Sequence, residues 1–370
     1  MAHFLTFRIQ PAIPCRLTLP IFSAILEIRP IDRVFLPEGS LRTKPHILTA
    51  ERARRGFAPQ DSEIDGAVRQ LQQPSTSASL RVLACDWALI LIAAVASWRT
   101  FMAGGLTVWS VAAYVLAVFL IGSRQKGLEN IMHEGTHLNL SPSPLWNDRI
   151  ALWLVGMWMT PGWTPAVERP GHIGAHHENF GVRGRDFEFF GYQGLGLGRL
   201  PSESPIAGAW LLVYTFLRTT WWRIHGVVHS FGPRSWLVLA AAAIVLGLTG
   251  LLLPLVLYWV VPYFFVYMPL RYLSEVSEHM ALGHGSEFAT TRNKLGWFQK
   301  YVMHPHGDGY HLVHHLYPRI PHHNLARAHR LLMVDPVYRL EGNHCWGLFA
   351  SLRQRTSLGD LLVSGRPIDS

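Results

Sequence analysis

The 370-residue sequence predicts an all-α integral membrane protein: four transmembrane helices carrying a cytoplasmic helical cap that holds a metal site. Three observations predict it. Hydrophobic residues make up 49% of the chain and charged residues only 15%, against about 25% charged in an ordinary soluble domain. Two long stretches are almost free of charge. Of the 20 histidines, 18 lie at or beyond His133, many of them at helix-face spacings. With a mean hydropathy of +0.17 and 14 Trp, 18 Phe and 11 Tyr, the chain is neither disordered nor collagen-like. Cys15, Cys85 and Cys345 lie far apart with no CxxC. That excludes a disulfide framework and a cysteine-ligated iron–sulfur cluster within this chain. The net charge is +9, but the basic residues flank apolar segments and form no block. They fit membrane orientation and anionic lipid, not nucleic acid.

Residues 1–80 read as a polar cytoplasmic N-terminal tail with no stretch able to cross a bilayer. The first 26 residues lack acids and contain Arg8 and Arg16, a faint likeness to a transit peptide, and a plain tail is the better reading. From Val82 to Ser123 only Asp86 and Arg99 are charged. This predicts spans over about 82–98 and 103–123, joined by a turn at Arg99 and Gly104-Gly105. Ser235 to Leu270 has no charge in 36 positions. One helix of that length would be roughly 54 Å long, against a hydrocarbon core of about 30 Å. The stretch is therefore expected to be a hairpin bent near Pro254, with spans over 236–252 and 254–270. Lys and Arg number 11 in residues 1–81, 10 in 124–234 and 11 in 271–370, with one in the first turn and none in the second. The positive-inside rule then places both termini and the central segment in the cytoplasm. Ile150–Met159 and Ala207–Phe216 are too short to span and read as interfacial or re-entrant helices. The membrane domain is expected over 81–335 and a cytoplasmic tail over 336–370.

Three histidine clusters carry the chemistry. His133-Glu134-Gly135-Thr136-His137 sets two imidazoles at i and i+4 on one helix face, where both reach one metal. HExxH is also the zinc-protease signature, with Glu134 as base. In the second cluster, His172 and His176 share a face and His177 points about 100° away, so the trio can serve two neighbouring metals. The third, His311-Leu312-Val313-His314-His315, repeats this logic at i, i+3 and i+4. Clustered imidazoles need partners when buried, so core packing alone is a poor account of three such sets.

HxxxH, HxxxHH and HxxHH together make the chain resemble the membrane fatty acid desaturase superfamily, the histidine-box di-iron desaturases and hydroxylases, over about residues 82–335. Gly307-Asp308-Gly309-Tyr310-His311, followed by His314-His315-Leu316-Tyr317-Pro318 and Ile320-Pro321, resembles the desaturase third box and its tail. The resemblance implies a di-iron centre held almost entirely by histidine. It also implies a further histidine just after the last span, matched by His279, 32 residues before His311. The implied ligands are His133, His137, His172, His176, His177, His279, His311, His314 and His315. Acyl-CoA desaturases often have Asn four positions before the extra histidine. Glu275 stands there, leaving open whether it is a ligand, an acceptor for a ligand or a helix-face residue. Asp186, Asp308 and Glu278 are candidate acceptors for the outer N–H of ligand imidazoles. Glu134 is expected to orient a ligand in this family. His225 and His229 follow Trp221-Trp222-Arg223, a membrane-interface pattern, and are expected to be interfacial. His284, His304 and His306 lie near the site and are candidate supports for the ligands, not ligands themselves. His322, His323, His329 and His344 are expected at the surface or facing a partner, and His3 and His46 in the tail.

Imidazole suits iron, copper and zinc, and iron is favoured because it can activate oxygen where zinc cannot. The implied activity is O2-dependent desaturation of a lipid acyl chain, whether a free fatty acid, acyl-CoA, acyl-ACP or acyl lipid. Hydroxylation and alkene-forming decarboxylation use the same ligands and differ only in substrate placement. A tunnel lined by the spans and the stretch Trp146–Trp163 would suit the acyl chain. With no HPGG haem motif and no cysteine cluster, electrons are expected from a separate ferredoxin, rubredoxin or cytochrome b5 with its reductase, docking on basic residues such as Arg327 and Arg330. An intramembrane zinc protease explains the first cluster but not the other two. A metal store or transporter would place its sites at mid-membrane.

Overall fold

The computed structural model describes residues 59, 61–160, 163–182, 184–230, 233–279 and 287–348. Expectations for residues 1–58 and 349–370, and for His284, lie outside the described residues, as does the side chain of His229.

Asp61 accepts the Glu63 N–H at 2.8 Å and starts α1 (Ser62–Arg69). Val68 and Leu71 are buried with Leu312, Val313, Tyr317 and Ile320, and Tyr317 donates to Asp65 at 2.9 Å. Residues 61–80, read from sequence as the end of a polar tail, are therefore partly helix and core. A helix of eight residues with one buried face has too little apolar sequence to stand out by hydropathy.

Two 29-residue helices follow: α2 (Thr76–Gly104), capped by Ser75, and α3 (Val108–Thr136), started by a Thr107–Ser110 capping box. Gly105, at φ +65°, makes the turn between them. Each is roughly 44 Å long, so about a third of its length exceeds a hydrocarbon core. Their side chains divide accordingly. Leu91, Ile92, Val95, Leu116 and Trp109 are exposed, as lipid-facing residues are. The last turns of α3 instead bury Gln125, Lys126, Glu129, Asn130 and Glu134, a polar set suited to a protein interior beyond the apolar slab.

After α3 come α4 (Pro144–Ala151), which runs on through a π-helical turn Leu152–Gly156, α5 (Pro165–Arg169), α6 (Phe187–Gly194), α7 (Pro205–Ser230) and α8 (Pro233–Leu248). A long helix, α9, covers Leu252–His279. The helices α2, α3 and α9 are long and apolar enough to cross a membrane. They share a core of Leu83, Ile90, Ile121, Leu128, Tyr258 and Tyr267. Gly122 permits the α3–α9 contact, because a Cβ there would sit 2.4 Å from Val266 Cβ.

Two expectations change here. Of the expected span 236–252, residues 236–248 lie in α8, whose 16 residues reach only about 24 Å. The break comes at Gly250, φ +73°, and not at Pro254. Pro254 sits in the first turn of α9, where a proline has no intrahelical donor to lose. Ala207–Phe216 is no short element but part of the 26-residue α7, with Ile206, Trp210, Leu217 and Trp221 exposed along it.

The remaining chain forms α10 (Glu287–Thr290), α11 (His311–Leu316), α12 (Leu325–Leu332) and α13 (Pro336–Glu341). Strands β1 (Arg292–Lys294) and β2 (Asn343–Cys345) pair in parallel, with Arg292 opposite Asn343. Residues 336–348, read from sequence as the start of a tail, thus pack against the preceding chain: Tyr338, Cys345 and Leu348 are buried, Tyr338 with Leu312 and Val313 and Leu348 with Tyr272 and Val276.

Candidate metal centre

Four segments bring the histidines together. The end of α3 carries His133, with His137 as its C-cap. A π-helical turn, Pro170–His177, extends α5 and carries His172, His176 and His177. His279 ends α9, and α11 supplies His311, His314 and His315. All nine are positioned as two groups. In the first, ligand nitrogens of His133, His137, His172, His177 and His314 all lie within 4.8 Å of one another. The second joins His176, His279 and His315, with His311 tied in by Nε2 distances of 2.9 Å to His279 and 3.2 Å to His315.

The split of the second cluster differs from the α-helical expectation. His172 pairs with His177, Nε2 to Nε2 at 3.2 Å, while His176 faces the other group. The cause is the π turn, sealed by the Glu178 N–H on the Ile173 carbonyl at 2.9 Å. An i→i+5 turn is wider than an α turn and swings position i+5 back toward position i.

The outer nitrogens fix which lone pair faces inward. His176 Nδ1 lies 3.0 Å from Asp186 Oδ1 with both residues buried, and His172 Nδ1 lies 3.0 Å from Glu188 Oε2. A carboxylate only accepts, so Nδ1 carries the proton and Nε2 presents its lone pair. His279 Nδ1 does the same with the Thr290 carbonyl at 3.2 Å. Burial, reinforced by neighbouring imidazoles, holds His137, His177, His311 and His315 well below the usual imidazole range. It takes His314 down to about 3. Neutral imidazoles are what a metal requires. His137 Nε2 is buried without a hydrogen-bond partner, a state that costs about 1–3 kcal/mol and that a shared cation relieves. The donor set therefore fits a transition metal at each group.

The other singled-out residues sort by contact. Asp186 acts as an acceptor for His176. Asp308 accepts from His304 Nδ1 at 2.9 Å and lies 3.9 Å from His133 Nδ1. Glu278 lies 3.6 Å from His311 Nε2. Glu275 faces away from the histidines: Arg223 and Arg271 donate to it at 2.9 and 2.8 Å, and Tyr192 donates as well. Glu134 accepts the His322 N–H at 2.7 Å, so it holds the chain after the third box instead of orienting an imidazole. His306 pairs with Asp86 at 2.6 Å. His225 lies beside Trp221 on α7. Of the four histidines expected at the surface, only His323 is exposed. His322, His329 and His344 are buried; His329 Nδ1 meets the Tyr338 hydroxyl at 2.8 Å and His344 Nε2 the Tyr338 carbonyl at 3.0 Å. Trp146, Trp153 and Trp158 are exposed, and Trp163 is buried. Glu188 and the Thr290 carbonyl were not foreseen. A lone Glu 16 residues past His172 has no spacing signal, and a carbonyl has no sequence identity at all.

Residues 109–346 match the family described as Fatty acid desaturase. The chain is also 29% identical over 262 residues to the dihydrorhizobitoxine desaturase of Bradyrhizobium elkanii, covering 64% of this chain and 72% of that protein.

Proposed function

The chain belongs to the fatty acid desaturase family, and on that premise we propose that it is a membrane-bound, O2-dependent, non-haem di-iron oxidoreductase that introduces a C=C bond into a lipid acyl chain. The observation that carries this reading is the pair of imidazole groups at the ends of α3 and α9. Iron bound there would supply the O2-dependent removal of hydrogen from an unactivated C–H bond. The chain's own part is to keep His137, His177, His311, His314 and His315 neutral by burial and to aim His172 and His176 through Glu188 and Asp186. His133, His137, His172, His177 and His314 would hold one ion; His176, His279, His311 and His315 would hold the other.

The metal site and both termini are assigned to the cytoplasmic side, supported by the distribution of Lys and Arg. In the same reading α8 is a fourth, short span preceding α9. The exposed Arg327 and Arg330 on α12 suit an acidic electron donor, a ferredoxin, rubredoxin or cytochrome b5. A second reading concerns the substrate: the curated relative is named for dihydrorhizobitoxine and not for a fatty acid. Hydroxylation and decarboxylation are separated from desaturation by product. The test is protein from iron-fed cells, purified in mild detergent, with metal per chain and Mössbauer spectra measured, then product analysis with a reduced donor. About two irons per chain in paired sites and an unsaturated product are expected. One zinc, no iron, and proteolysis abolished by Glu134→Gln would overturn the proposal.

A further inference from the structure

We infer that Glu278 is a metal ligand, completing the second histidine group as its fifth protein donor. The inference rests on the di-iron reading above and adds a donor to it. The first group offers five imidazoles and the second only four. Glu278 precedes His279 at the end of α9 and is buried. Its Oε2 lies 3.6 Å from His311 Nε2, and Glu278, His279 and His311 place ligand atoms within 4.8 Å of one another. Two donors each about 2.1 Å from one ion stand roughly 3.0 Å apart at a right angle and about 4.2 Å apart when opposed, so this spacing suits a shared cation.

The two oxygens have different surroundings. Oε1 accepts from Ser274 Oγ at 3.1 Å and faces Lys294 Nζ at 3.5 Å. Oε2 faces His311. A ligating carboxylate is characteristically held this way, one oxygen hydrogen-bonded and the other on the metal. Glu275, one turn earlier, is bound by Arg223 and Arg271, which leaves Glu278 as the carboxylate aimed at this group. A separate cation among Glu278, His304 and Asp308 is disfavoured, because Lys294 and Lys126 already stand 3.5 and 3.6 Å from the two carboxylates.

Wild-type and Glu278→Gln proteins, purified in parallel from iron-fed cells, are compared for iron per chain and Mössbauer spectrum. In the variant one of two iron signals is expected to shift or vanish, with iron falling from about two toward one per chain, while the other signal persists. That persisting signal reports an intact fold. Two unchanged signals would overturn the inference and leave the di-iron reading standing; a wild-type protein without iron would overturn both. Should the variant lose both signals, the wild type decides alone. Its infrared difference spectrum between metal-free and iron-loaded states shows the enlarged antisymmetric–symmetric splitting of a metal-bound carboxylate if Glu278 is a ligand, and only imidazole bands with small shifts of the hydrogen-bonded carboxylates Asp186 and Glu188 if it is not.

Discussion

Asp186→Asn isolates the contribution of one buried carboxylate. Asp186 Oδ1 meets His176 Nδ1 at 3.0 Å, and Oδ2 accepts the Gly181 N–H at 3.0 Å. The residue is 0% exposed and His176 1%, so water cannot replace either contact. An amide of the same shape has one acceptor and one donor group, and whichever way it sits, one N–H faces another donor. If the NH2 turns to His176, the imidazole proton is driven to Nε2 and the inward lone pair is lost. If it turns to Gly181, His176 keeps only a neutral acceptor. A hydrogen bond to a charged group contributes about 1.5–3 kcal/mol. At 1.36 kcal/mol per factor of ten, the second histidine group should bind metal about 10- to 150-fold more weakly, in line with the effect of outer acceptors elsewhere. The first group should be unaffected, because Glu188 and not Asp186 holds His172. Chelator competition on reconstituted protein in detergent reads both sites. Affinities within twofold of wild type at both groups, with unchanged thermal unfolding, would refute the claim that Asp186 sets the His176 tautomer.

Gly122→Ala places a methyl 2.4 Å from Val266 Cβ, and such overpacking costs about 1–3 kcal/mol, read as a lower Tm in detergent. Tyr338→Phe removes the hydroxyl that receives the Asn293 amide at 2.8 Å and meets His329 at 2.8 Å; each buried group left without it costs about 1–3 kcal/mol, and equilibrium denaturation measures the sum. Burial depresses His304 and His329 to about 3, below the unfolded value of about 6.5. The unfolded chain then binds more protons, so stability present above pH 6.5 is lost as pH falls toward 3, at up to about 1.4 kcal/mol per pH unit for each group. A metal-stripped protein with the same Tm at pH 7 and pH 5 would contradict this. Arg327→Glu with Arg330→Glu should raise KM for an acidic electron carrier at low salt, with the difference shrinking as salt is added.

Much of this was legible in the chain alone because it depends on local properties. Helical character, the apolar slabs and the clusters at His133, His172 and His311 follow from hydropathy and from spacing along a single segment. The extra histidine after the last apolar stretch, His279, is marked only through the resemblance, which implies a histidine at that distance before His311. What only the tertiary structure decided is how the imidazoles divide into five and four. That division depends on a π turn after Pro170 that swings His177 toward His172, a choice made by packing and not by helix periodicity. The roles of the carboxylates were likewise not local. Glu275 belongs to two arginines, one of them on α7 and 52 residues away, and Glu134 to a backbone N–H 188 residues away. His329 and His344 read as surface residues because a polar side chain in a polar segment looks solvated until Tyr338 is seen between them. Spacing determines which side chains share a face; only the folded chain decides what that face meets.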